Sequence, residues 1–144
     1  MNFKKILTVN FQTTKASVAL LILRLVAGIA FMMHGWPKIQ NPMGWAGPDA
    51  KIPGALLLLA AVSEFFGGLS WILGLLSPIS SFGIAVTMAV ATSVHAFVFN
   101  DSFVADPGKS SFEPALLYLA VALVLMLVGP GKFSADQQLF SKKY

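Results

Sequence analysis

The chain reads as an all-α, polytopic membrane protein, a bundle of four transmembrane helices. Three observations carry that reading. Hydrophobic residues make up 56% of the 144 residues. Charged residues are 11% of the chain, less than half of the roughly one quarter carried by a soluble domain. The apolar residues also gather into four long runs, each near the roughly 20 residues that cross a hydrocarbon core. So much of the length lies in these runs that there is room for one bundle and no second domain.

The first span is expected from about Ser17 to Trp36. Its apolar stretch, Ala16 to about Met33, exceeds a signal-peptide core of about 7–15 residues. It runs into His34-Gly35-Trp36-Pro37-Lys38 without a small-x-small cleavage site, so it reads as a retained span. The second span covers Pro53 to Leu76, the third Ile79 to Phe99 and the fourth Phe112 to Val128. The fourth is the shortest and closes at Gly129-Pro130-Gly131, where proline and glycine stop a helix. The organisation is then an N-terminal segment (1–16), a four-helix domain (17–130) and a C-terminal tail (131–144). In the N-terminal segment, Phe3, Ile6, Leu7 and Phe11 stand at near-helical spacing beside Lys4 and Lys5. An interfacial helix and a disordered tail are the alternatives there.

Lysines set the expected orientation. Lys4, Lys5 and Lys15 precede the first span, and Lys132, Lys142 and Lys143 follow the last. The opposite loops hold Lys38, Lys51 and Lys109, and six against three places both termini in the cytoplasm. Spans two and three would join through a short Ser77-Pro78 turn on the same side. Trp36 and Trp45 would mark the outer interface and Trp71 the inner one. The net charge of +4, with lysines clustered at the chain ends, suits anionic lipid headgroups better than nucleic acid. The chain has no cysteine, which excludes disulfides, thiolate metal sites and dithiol chemistry. A shift of 61 positions superposes His34 on His95, Pro53 on Pro114, Leu57 on Tyr118 and Gly68 on Gly129. This makes two repeated helical hairpins a candidate architecture.

Ionisable residues within the spans need a partner or a purpose, since each costs about 2.5–3.5 kcal/mol at mid-bilayer on insertion scales. By helical rise, Arg24 and Glu64 are expected near one level, roughly 10 Å and 13 Å from the cytoplasmic plane, and form a buried ion pair. Proton handling or substrate binding by Glu64 is the sharper alternative, and the two readings can coexist. His34, His95 and Tyr118 are expected in a second layer in the outer third, with Glu113 at its mouth. Such a set suits interhelical hydrogen bonds, quinone or small-molecule binding, or metal or haem ligation. Neither histidine stands in a ligand-spaced motif, so no metal site is assigned. Gly28, Gly67, Gly68, Gly74, Gly83 and Ala91 read as packing residues where backbones approach closely.

The order and spacing of these residues resemble the DoxX family of small bacterial membrane proteins. The resemblance rests on Arg24 with Gly28, His34-Gly35-Trp36-x-Lys38, Glu64-x-x-Gly67-Gly68-Leu69 and Leu73-Gly74-Leu75. It continues through His95, Glu113, Tyr118 and Gly129-Pro130-Gly131-Lys132, and covers about Ala16 to Leu139. Pro78 departs from the pattern, standing where a basic residue often follows the second span. The resemblance implies a four-helix bundle of the bacterial inner membrane and a link to respiratory or sulfur redox chemistry with quinone. Two functions follow as expectations. One is a redox-associated subunit in which His34, His95 and Tyr118 hold a quinone and Glu64 or Glu113 supplies protons. Any further redox cofactor would then come from a partner subunit, since the chain has no flavin, iron–sulfur or dinucleotide motif. The other is a non-enzymatic anchor or assembly factor whose polar residues hold the bundle together. A small transporter ranks behind both, because four spans make a permeation path only in a homo-oligomer.

Overall fold

A computed structural model describes residues 12–48 and 50–140. Helix α1 covers Thr14–Gln40, α2 Gly54–Leu73, α3 Ser77–Ser93, α4 Glu113–Val128 and the short α5 Ala135–Phe140. Helix α3 continues directly into a π-helical turn, Val94–Val98. The N-terminal residues Phe3, Ile6, Leu7 and Phe11, with Lys4, Lys5, Lys142 and Lys143, lie outside the described residues. The chain is a four-helix membrane bundle. Three helices are long and apolar enough to span, and α4, at 16 residues, is the shorter fourth. Consecutive helices pack side by side, while α1 and α4 meet only slightly. Helix α1 starts, and α4 ends, at what is called here the terminal end of the bundle; the α1–α2 and α3–α4 loops lie at the loop end.

Helix boundaries differ from expectation for local reasons. Helix α1 starts early because the Thr13 hydroxyl accepts the Ala16 N–H at 3.2 Å, a side-chain N-cap. It runs past Trp36 because Pro37 lies in the last turn, where the missing N–H removes a single ladder bond. Helix α2 stops at Leu73, since Gly74 takes a left-handed conformation (φ 65°) that favours glycine at a helix end. Leu76 is also left-handed (φ 52°). The connection is therefore Gly74–Leu76, and Ser77-Pro78 forms the first turn of α3, a position proline tolerates.

The core is centred on Phe31, whose ring meets Trp71 edge-on at 5.3 Å and Tyr118 at 5.0 Å. Trp71 is fully buried and donates its indole N–H to Ser81 Oγ at 2.8 Å. It therefore belongs to the core and not to an interfacial belt, because its face of α2 turns inward. Trp36, by contrast, is 57% exposed. Helices α1 and α2 cross at glycines. A Cβ on Gly68 would stand 2.7 Å from Gly28 O and 2.9 Å from Met32 N, which are backbone atoms that cannot yield. Gly68→Leu is expected to force the helices apart at a cost of about 1–3 kcal/mol, seen as a lower unfolding midpoint in detergent. Ala120→Leu, on an exposed face of α4, should leave the midpoint in place; equal midpoints for the two variants would refute the crossing.

The 61-residue correspondence is uneven in three dimensions. Pro53 and Pro114 both stand at helix starts. Gly68 sits inside a helix crossing, whereas Gly129 ends α4 at φ 88° with nothing packed where a Cβ would go. His34 is in regular α-helix and His95 in the π-turn.

Candidate functional site

Two buried polar clusters lie at different depths. The first closes the terminal end. Arg24, 1% exposed, donates from Nε to Trp71 O at 2.7 Å and from Nη2 to Ile72 O at 3.1 Å. Its Nη1 donates to Pro130 O at 2.8 Å and Phe133 O at 3.0 Å. The last carbonyls of a helix have no partner within it and carry the negative end of its dipole, so the end of α2 is a natural seat for a guanidinium. Gly74 is required there, since a Cβ would collide with that guanidinium. Asp136 completes the closure. Its carboxylate accepts from Leu76 N–H at 2.7 Å and Ser77 N–H at 2.9 Å, and its own N–H donates to Gly74 O at 2.9 Å. Leu76, at the N-cap of α3, has no side-chain acceptor, so Asp136 caps that helix from a distant part of the chain.

The expected Arg24–Glu64 ion pair is not formed. Glu64 pairs with Lys38 instead, Nζ to Oε1 at 2.6 Å. The close approach of Gly28 to Gly68 sets Arg24 level with Ile72 and Glu64 level with Met32. The two charges are thus about 12 Å apart along the bundle. Glu64 is 2% exposed, and the Lys38 side chain 25%. Lys38 Nζ also lies 4.4 Å above the Trp45 ring, a cation–π contact, and Trp45 donates its indole N–H to Leu57 O at 2.9 Å. The other carboxylate oxygen, Glu64 Oε2, is buried and has no hydrogen-bond partner among the described residues.

The four residues expected to converge in an outer layer are not linked to one another by any hydrogen bond or ion pair. His34 is exposed on α1. His95 pairs through Nδ1 with Asp101 Oδ2 at 2.7 Å and sets its ring edge-on to Phe99 at 5.4 Å. Ser110 donates to the other Asp101 oxygen at 2.8 Å, so this trio ties the α3–α4 loop together. The hydrogen bond from His95, then that from Ser110, holds the Asp101 carboxyl below the usual aspartate range. Glu113 is exposed in the first turn of α4, its N–H donating to Phe103 O at 3.2 Å. Tyr118 packs on Phe31, which lies between the Gly28–Gly68 and Gly35–Phe65 contacts; His34 stands at a similar depth, two residues beyond Met32, but on an exposed face. Among the described residues no group of three or more His, Asp or Glu side chains has metal-binding geometry.

Sequence reasoning missed Lys38, Trp45 and Asp136 as site residues. Lys38 was counted among loop charges, although a lysine in the last turn of a helix can reach back along it. For Asp136 the available signal was Leu76: a helix beginning Leu-Ser-Pro behind a tight turn needs a cap from elsewhere.

Residues 19–100 match the DoxX family profile. The chain belongs to the DoxX family. It is 32% identical over 132 residues to the inner membrane protein YqjF of Escherichia coli (strain K12), covering 88% of this chain and 95% of that one. It is also 32% identical over 130 residues to an uncharacterized protein of Haemophilus influenzae (strain ATCC 51907 / DSM 11121 / KW20 / Rd), covering 85% and 92%. No solved structure matches this DoxX chain significantly. The family match ends at Asn100, so it includes both members of the Lys38–Glu64 pair and Arg24, but not the α4 and α5 residues that complete the closure.

Proposed function

We propose that this DoxX chain is a multi-pass subunit of the bacterial inner membrane, with both termini cytoplasmic, that binds a quinone-class molecule within a larger redox assembly. The observation that best supports binding is Glu64, a buried carboxylate with one oxygen held by Lys38 and the other without a partner. An ionisable residue inside a membrane marks a functional site by default, and an unsatisfied buried polar atom in a native fold calls for an explanation such as a ligand. Glu64 then presents its open oxygen to the ligand, while His95 serves the loop. The E. coli relative supports the location, and the lysine distribution supports the orientation.

Native mass spectrometry of the protein, gently extracted from its own membrane, tests this reading. A retained quinone-class ligand or second polypeptide is expected, with the ligand lost in Glu64→Leu, which removes the polar group altogether. A protein carrying only lipid would favour the second reading, an anchor or assembly factor. That reading draws on the terminal end, where, among the described residues, Arg24 and Asp136 hydrogen-bond to the chain's own backbone.

A further inference from the structure

We infer that the Glu64 site selects a ligand that donates a hydrogen bond, the hydroxyl of a hydroquinone or phenol, over one offering only carbonyl oxygens. The inference rests on the quinone-class reading above and specifies which redox form the site takes. A carboxylate paired with an ammonium has lone pairs to offer and no proton. Oε1 is already engaged by Lys38, so the atom left open is Oε2, a buried acceptor. The buried indole donors are in use, Trp45 on Leu57 O and Trp71 on Ser81, and Arg24, about two turns away along the bundle, is engaged by backbone carbonyls. A quinone carbonyl set against Oε2 would bring two acceptors together. A hydroxyl would donate to it, and hydrogen bonds to ionised groups are the stronger class. Lys38 does not reverse this preference. Its ammonium is shared between Oε1 and the Trp45 face, and its partial exposure lets water meet the remaining N–H.

The test uses the purified full-length protein in lipid nanodiscs under anaerobic conditions. Binding is measured for a matched short-tail series: the hydroquinone, its quinone and the hydroquinone dimethyl ether. The hydroquinone is expected to bind at least about tenfold more tightly than either of the others, the scale of one hydrogen bond to a charged acceptor. In Glu64→Gln the side-chain amide can donate, so quinone affinity should rise and the ratio approach one. Equal binding of all three probes, or tighter quinone binding, would overturn donor selection and leave quinone-class binding standing. If none of the three binds, the quinone-class reading fails and this inference fails with it. A hydroquinone preference that persists unchanged in a folded Glu64→Gln variant overturns the assignment to Glu64. The wild-type series decides donor selection even where that variant does not fold.

Discussion

Arg24→Leu is expected to be the most destabilising single substitution in the bundle, costing about 3 kcal/mol or more. The guanidinium meets four backbone carbonyls, two at the end of α2 and two in the segment after α4. Leucine leaves those acceptors in a buried site with no donor. Arg24→Lys should fall between the two, because an ammonium keeps the charge but cannot reproduce the planar fork. Thermal unfolding in a mild detergent reads the effect. Since Glu64 lies about two turns away along the bundle and shares no partner with Arg24, adding Glu64→Met should give a loss that is additive within about 0.5 kcal/mol. Rescue of Arg24→Leu by Glu64→Met would mean the two charges are partners after all.

The Lys38–Glu64 pair should behave in the opposite way. Lys38→Met strands a carboxylate that is 2% exposed, with an expected cost of about 2 kcal/mol, discounted because Lys38 itself is partly exposed. The double variant Lys38→Met with Glu64→Leu removes both charges and should recover most of that stability. It should also lose the ligand. A double variant as unstable as the sum of its singles would show that the ion pair contributes no coupling, and the binding role would lose its geometric basis.

The four helices were legible because each is an apolar run bounded by proline, glycine or lysine. Their mutual register was not. Depth counted inward from assumed membrane planes takes Arg24 from Ser17 at one face and Glu64 from Pro53 at the other. The helices instead start at Thr14 and stop at Leu73, and the register is set by Gly28 meeting Gly68. That contact carries the start of α1 about nine residues past the end of α2, which puts Arg24 beside Ile72 and leaves Glu64 within reach of Lys38. The partners of Arg24 were hidden for a second reason. Backbone carbonyls are offered by every residue, so a guanidinium that binds them leaves no paired acidic residue to find. The histidines misled in a simpler way: similar depth on different helices does not bring two side chains to one place, and His95 is satisfied by Asp101, six residues away.

The closure at the terminal end also bears on how the protein is made. Two of the acceptors for Arg24, and the Asp136 cap of α3, come from the segment that follows α4. While the ribosome is still adding α4, Arg24 is already in the first helix with half of its acceptors not yet synthesised, and α3 has no cap. Insertion can therefore proceed helix by helix, but the bundle locks only once the segment after α4 has been made. A nascent chain that stalls before Pro130 leaves that arginine with two of its four acceptors missing.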